Sequence, residues 1–583
     1  MKKANYDKFP FVQVETVNSS CVAGWEAIAG KINGEISSGK KIIVIECYQG
    51  VNDDEVAGAL KKSLKHDLWI DAADALKSEA DILAMTYPDV TDDRIFGFLT
   101  RLNVDDYLDQ SKVAALQSKL NDATGTIIIY GTGASLILPK YDLLVYADMA
   151  RWEIQLRMRK KEVHNIGINN NDEEFSIQYK RAFFVDWRAC DRLKKRLFSK
   201  MDYVLDTNAA GSPKMITGKA MLDGMKKAVT QPFRVVPFFD PGPWGGQWMK
   251  EVCDLDRSAV NYAWCFDCVP EENSLLLRFG DIDVEIPSIN VVFYQTDNLL
   301  GKKVHSRFGD EFPIRFDFLD TIQGGNLSFQ VHPLTEYIQE KFGMHYTQDE
   351  SYYFLDVDES AEPVVFLGLQ ENVVPEEMID DLRAAQRGEK LFDDEKFVKK
   401  WPVVKHDHVS IPAGTVHCSG TGGMVLEISA TPYIFTFKLW DWGRLGMDGK
   451  PRPINIEHGK NVIQWDRTAS WVKEHALNLV EPLGSGEGWR EERTGLNDLE
   501  FIETRRHWFT GKVTHHTNGN VNVLNLVEGR EVIVESPTNG FEPYVIHYAE
   551  TFIVPAAVGE YTIRPYGESE GKECGTLKAY VRI

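Results

Sequence analysis

Positive charge is scarce in this chain. Lys and Arg total 65 against 87 Asp and Glu, a formal net charge of -22. No basic surplus exists to neutralise phosphates, so neither a nucleic acid nor an anionic membrane is expected as a partner. Long apolar runs are also missing. Nowhere do about 18 apolar residues follow one another, and the opening MKKANYDKFPFVQVE has two lysines but no apolar stretch of leader length. A cytoplasmic protein is the expectation. Cysteines number only eight and lie scattered. Cys265 and Cys268 form a lone CxxC without a second pair or a histidine at finger spacing, which argues against a zinc knuckle. Free thiols in a reducing compartment are expected instead.

What is present is ordinary in bulk and informative in order. At 583 residues the chain exceeds one hydrophobic core, and about two to four domains are expected. Up to about residue 230, strand-like and helix-like segments alternate: KKIIVIECY, then VNDDEVAGALKKSL, then TGTIIIYGTG, YDLLVYADM and ARWEIQLRMRKK. That alternation predicts an α/β domain with a mainly parallel sheet. From residue 231 short strands punctuated by Pro and Gly take over, which predicts a β-sandwich or barrel. A helical insertion is expected at 375–401. PLGSGEGWREERTG (482–495) reads as a Gly-rich joint before a last all-β stretch. VSIPAGTVHCSG and TFIVPAAVGEYTIRP echo one another, and Glu560 of the second aligns with His417 of the first.

In NLSFQVHPLTEY, Gln330 and His332 are two apart in a β-prone run that Pro333 ends, so both face one side of a strand. They read either as a hydrogen-bonded polar pair or as two donors aimed into a cavity. Glu350 begins an aromatic strand 18 positions further on, and His417 follows the Pro-Ala-Gly turn of IPAGTVH. Taken together, one amide, two imidazoles and one carboxylate make a donor set for a divalent ion, with zinc the best-suited metal. His406 and His408 lie close in sequence as further candidates.

The block from about 234 to 460 resembles the class I mannose-6-phosphate isomerases, metal-dependent enzymes of the cupin fold. GPWGGQW, FGDEFPIRFDFLD, LSFQVHP, DESYYFLD, IPAGTVH and FTFKLWDWGR occur in that family's order. The resemblance implies that Gln330, His332, Glu350 and His417 are the metal ligands. It implies the interconversion of mannose 6-phosphate and fructose 6-phosphate, with a small sugar phosphate as the partner. It also places Lys438 and Arg444 at two basic positions facing the sugar phosphate. The chain departs from the pattern twice. Lys438 stands where arginine is common, keeping the charge without the planar fork, and Gln348 stands where relatives often carry lysine. Lys438 can also be read as a strand-face lysine, and Arg444 as a cation stacked on an indole. A metal-binding cupin that senses a sugar without turnover is the alternative function.

Residues 496–583 are similar to the second, metal-free cupin module of the same family, so 231–583 is expected to form an all-β double cupin (jelly roll). In that module His515 and His516 are adjacent and point to opposite faces, and no ligand set forms. Residues 1–230 look like a nucleoside or uridine kinase that has lost its phosphate loop. GxxxxGK[ST] is replaced by ECYQGVNDDEVAG, without the lysine and hydroxyl that hold phosphate and magnesium, and its Asp and Glu would repel a triphosphate. A degenerate, non-catalytic P-loop-kinase-like α/β domain is therefore expected first in a multidomain chain.

Overall fold

A computed structural model describes residues 4–15, 20–430, 434–447, 449 and 452–582. The lysines at positions 2 and 3 lie outside these residues. The chain forms two compact units. One comprises residues 11–228 and 271–294, the other residues 1–10, 229–270 and 295–583. The sequence predicts a single cut near residue 230. The structure adds two exchanges: the first ten residues join the β-rich unit, and a hairpin segment at 271–294 joins the α/β unit. Strand Ser274–Phe279 pairs in parallel with Phe11–Gln13, a contact between segments more than 250 positions apart that local patterning cannot announce.

In the α/β unit, Ile42–Cys47, Leu68–Asp71, Ile127–Gly131, Leu143–Asp148 and Tyr203–Asp206 are parallel. The first of them is central, flanked by the third and fourth. Lys214–Thr217 and Cys21–Ala23 extend one edge antiparallel. The runs Ile43–Val44–Ile45 and Ile127–Ile128–Ile129 are buried throughout, as strands covered on both faces must be. Helix Asp53–Ser63 starts where Asn52 accepts a hydrogen bond from the Glu55 amide. It has acidic residues in its first turn and lysines in its last, in accord with the helix dipole.

Among the described residues the other unit holds four sheets. Six strands run in the order His408–Ile411, Glu350–Val357, Gly423–Ala430, Ile314–Asp320, Trp264–Cys268, Phe238–Asp240. A second sheet of five runs Val398–Pro402, Val364–Leu369, His417–Ser419, Phe329–Val331, Phe437–Trp440. Of the expected insertion, Pro375–Gln386 and Asp394–Phe397 are helical, while 398–402 is a strand of this second sheet. The Trp-Gly-Gly turn is fixed by close approach, since a Cβ on Gly246 would lie 2.1 Å from Asp320 Oδ1. No helix among the described residues is long and apolar enough to cross a membrane.

The last two sheets share one core, with Phe509, Leu524, Val534, Phe552, Ile563 and Cys574 among its buried members. Here the expected joint at 482–495 proves to be structure. Val480–Gly486 and Trp489–Thr494 form a hairpin at the edge of the six-stranded sheet. Its two-residue turn, Glu487–Gly488, places Gly488 at φ 75°, so the glycines serve a tight turn rather than a flexible link. The sequence echo has a counterpart in topology. His408–Ile411 to His417–Ser419, and Thr551–Val554 to Glu560–Pro565, each cross from one sheet to its partner through a proline turn.

Candidate metal centre

Gln330 lies opposite His417 in strand register. His332 follows immediately, before Pro333 ends the strand. Phe329 faces the other way, stacked on Trp440 and edge-on to Phe366. Glu350 opens its strand in the six-stranded sheet, and its carboxylate reaches the imidazoles of the five-stranded one. Glu350 Oε1 lies 2.8 Å from His417 Nε2 and Oε2 lies 3.1 Å from His332 Nε2. Both histidines and the glutamate are buried. The donor atoms of the three residues all lie within 4.8 Å of one another.

The opposite ring nitrogens decide what those contacts mean. His417 Nδ1 lies 2.8 Å from the Thr415 carbonyl and His332 Nδ1 lies 3.2 Å from the Phe435 carbonyl. A carbonyl only accepts, so both Nδ1 atoms carry hydrogen and both Nε2 lone pairs turn towards the carboxylate. Lone pairs facing carboxylate oxygens at about 3 Å require a cation between them, a proton or a metal ion. His332 Nε2 and Glu350 Oε1 are buried without a hydrogen-bond partner. Tetrahedral zinc with bonds of about 2.1 Å sets ligand atoms roughly 3.4 Å apart, so the group fits such an ion. Gln330 Nε2 lies 3.1 Å from His417 Nε2, and half a turn of the amide would present its oxygen instead.

Burial alone would raise Glu350, but the two imidazoles hold its carboxyl well below the usual range. Two acidic neighbours behave oppositely. Burial pushes Asp317 up to about 7, against the pull of Arg315 and with Glu350 adding. Burial, with Asp317 and Glu350, raises Glu427 well above its ordinary value. Arg315 Nη2 lies 3.1 Å from Glu427 and 3.6 Å from Asp317. Asp317 and Glu427 are thus two buried carboxyls beside the Arg315 guanidinium. Sequence reasoning missed Asp317 and Glu427; their signal is a charged residue in otherwise apolar strands, IRFDFLD and GMVLEIS.

Lys438 pairs in register with Gln330 and shares its face, because a bulge beside Phe329 lets Trp440 take the other side. Lys438 retains some accessible surface but is crowded. Burial pushes its amine down to about 7, with Arg452 and Arg444 adding and Asp441 opposing. Arg444 is anchored. Its Nη2 lies 2.6 Å from Asp441 Oδ1, and Nη1 donates to the Asn326 carbonyl at 2.6 Å. Arg452 holds the other oxygen of Asp441 at 2.8 Å. Gln348 donates to Glu350 Oε2 at 2.9 Å. The structure takes His406 and His408 elsewhere. His406 meets Tyr353 and Glu528, and His408 meets Ser351 and Thr494.

In the α/β unit, a cavity of about 170 Å³ opens at the carboxyl ends of the parallel strands. Asp53, Asp54, Asp71 and Glu162 line it, and no Lys or Arg does.

Residues 24–230 match the model of a domain of unknown function, DUF8485. The chain also has named relatives. Mannose-6-phosphate isomerase ManA of Bacillus subtilis is 24% identical over 262 residues, 45% of this chain and 74% of the relative. The mannose-6-phosphate isomerase of Streptococcus mutans is 25% identical over 321 residues, 54% of this chain and 89% of the relative. Among solved structures, the mannose 6-phosphate isomerase of B. subtilis superposes with a TM-score of 0.49 at 17% identity, covering 60% of this chain and all of that one. The chain has distant sequence similarity to these mannose-6-phosphate isomerases.

Proposed function

We propose that the chain is a metal-dependent aldose–ketose isomerase for a sugar phosphate, with mannose 6-phosphate and fructose 6-phosphate as its substrate pair. On this reading the β-rich unit is a double cupin with the catalytic site in its first module. The observation that carries it is the pair of imidazoles tied by Nδ1 to backbone carbonyls, with both Nε2 atoms turned to one buried carboxylate. His332, Glu350 and His417, with Gln330 beside them, would hold one divalent ion, zinc being the ion this donor set suits. Once bound, the ion supplies Lewis acidity towards a sugar oxygen.

The remaining work falls to the chain's own side chains. Isomerisation takes a proton from the carbon beside a carbonyl and returns it to the neighbouring carbon, so a group able to hold and release a proton must face the sugar. Lys438, on the cluster's face with its amine near neutrality, takes that role. Arg444, held in place by Asp441, supplies positive charge for the phosphate. The α/β unit is read as a kinase-like domain without phosphate transfer, since its cavity carries acidic groups where a triphosphate needs cations.

A sugar-binding protein without turnover is the competing reading. It is favoured by Gln348, a neutral amide on Glu350 where relatives often carry lysine, and by the anchoring of Arg444. Metal analysis combined with a coupled assay on aldose and ketose phosphates separates the two. The purified protein should carry about one divalent ion per chain, and His332→Ala and His417→Ala should each lose the ion and the activity while remaining folded, because each removes a donor. Metal retained in both variants would return Gln330 and His332 to a hydrogen-bonded strand pair. Metal lost from both, with no sugar phosphate turned over by the wild type, would leave the binding protein.

A further inference from the structure

The second β-module, which the sequence leaves without a ligand set, lines most of a further cavity. It measures about 450 Å³ and opens where strands Ile502–Phe509 and Cys574–Val581 meet the turn after Val513–His516. Four cations line it, Lys303, Arg505, Lys578 and Arg582, against one carboxylate, Glu503. In a chain with a net charge of -22 this is a local reversal of sign.

Most of the wall is already engaged. Arg505 Nε and the Tyr580 hydroxyl each donate to Glu503 Oε1 at 2.6 Å. Arg582 Nη2 donates to the Asn497 carbonyl at 2.6 Å. Lys578 is different. It is 7% exposed, and its ammonium, with three hydrogens to donate, has a single hydrogen-bond contact, His515 Nδ1 at 3.4 Å. Burial pushes that amine down to about 8, with Glu491 and Glu503 opposing and Arg505 adding. His515, on the other side of that contact, is 4% exposed and packs against Tyr561, behind the residues that line the cavity. A buried ammonium with hydrogens left to donate is costly unless an acceptor fills the site.

An anion suits the cavity, because the Lys578 ammonium has hydrogens left to donate and exposed Lys303 stands on the same wall. A lysine ammonium, a compact point charge, suits phosphate. The volume falls within the range of small-molecule pockets, about 300–1,000 Å³. We propose that this cavity binds a small phosphate monoester at Lys578 and Lys303, in a site that shares no residue with the His332–Glu350–His417 cluster. It gives the metal-free module a ligand of its own, independent of the isomerase reading.

Calorimetric titration of the full chain with glycerol 3-phosphate, which is neither an aldose nor a ketose, tests this, with inorganic phosphate as a parallel arm. Saturable binding should weaken at least about tenfold in Lys578→Met and about threefold in Lys303→Ala, the losses expected for a buried and an exposed charged contact. It should be unchanged in His417→Ala and Arg444→Ala, which remove a metal donor and the phosphate contact of the first site. Tighter binding of the ester than of inorganic phosphate would support a metabolite; the reverse would overturn the monoester assignment. Binding abolished by Arg444→Ala and untouched by Lys303→Ala would place the anion at the first site and overturn the proposal, as would the absence of saturable binding. Lys303 is exposed, so its variant keeps the test valid if Lys578→Met does not fold.

Discussion

His408 provides a quantitative test of how burial governs the β-rich unit. It is fully buried, with Nδ1 2.8 Å from Thr494 Oγ1 and Nε2 2.9 Å from Ser351 Oγ. Burial, with the charge of Arg506 adding, pushes its pKa from 6.5 down to about 3. Above pH 6.5 the ring is neutral in both folded and unfolded chains, and the group adds no pH dependence. As pH falls below about 6.5 the unfolded chain takes up a proton that the folded chain refuses, so stability falls with pH. At pH 5 the loss is RT ln 33, roughly 2 kcal/mol. Other buried groups titrate in the same interval, among them His507, pushed down to about 4, and Glu46, raised to about 7. The observable is therefore the difference between wild type and His408→Gln. The variant should be less stable at pH 8 by about 1–3 kcal/mol for a compromised buried hydrogen-bond pair. That gap should narrow by about 2 kcal/mol at pH 5, because the variant has no ring to protonate. Hydrogen exchange in peptides covering 408–411 and 489–494 reads the local opening free energy without assuming two-state unfolding. A gap that stays constant from pH 8 to pH 5 would refute the buried, neutral His408.

Three further expectations concern ligands. Lys438→Ala should keep the metal and lower kcat by about 10²–10⁴, the usual worth of a positioned proton-transfer group. Arg444→Ala should also keep the metal but raise KM for a phosphorylated sugar by about tenfold with kcat nearly unchanged, since a phosphate contact is shared by ground and transition states. Steady-state kinetics with metal analysis would contradict these roles if the two effects were exchanged. Titration of the full chain with ATP and magnesium should give no micromolar binding, because Asp53 and Asp54 occupy the wall where phosphate would lie. Tight binding with nucleotide turnover would show that the loop at 48–52 has been misread.

The sequence by itself determined those features that depend on neighbours along the chain. The two-residue spacing of Gln330 and His332 puts both on one strand face, and Pro333 ends the strand. The alternation of strand and helix before residue 230 dictates a parallel sheet, and the pairing of His515 with His516 sends one ring in and one out, as the burial pattern records. Only the tertiary structure decided the rest, because it depends on groups brought together over long separations. The carbonyls of Thr415 and Phe435 select the tautomers that turn both Nε2 atoms to Glu350. Asp317 and Glu427, ordinary strand residues in sequence, become a second and third buried carboxyl beside it. The glycines of 482–495, read as a joint, became a hairpin once Ile502–Phe509 offered an edge to pair with. Lys578 lies in a strand whose pattern marks no site, and it became a buried ammonium only when the turn after His516 and the strand carrying Arg505 closed around it. A strand's alternation fixes which face a side chain takes; what that face meets is set by the sheet packed against it.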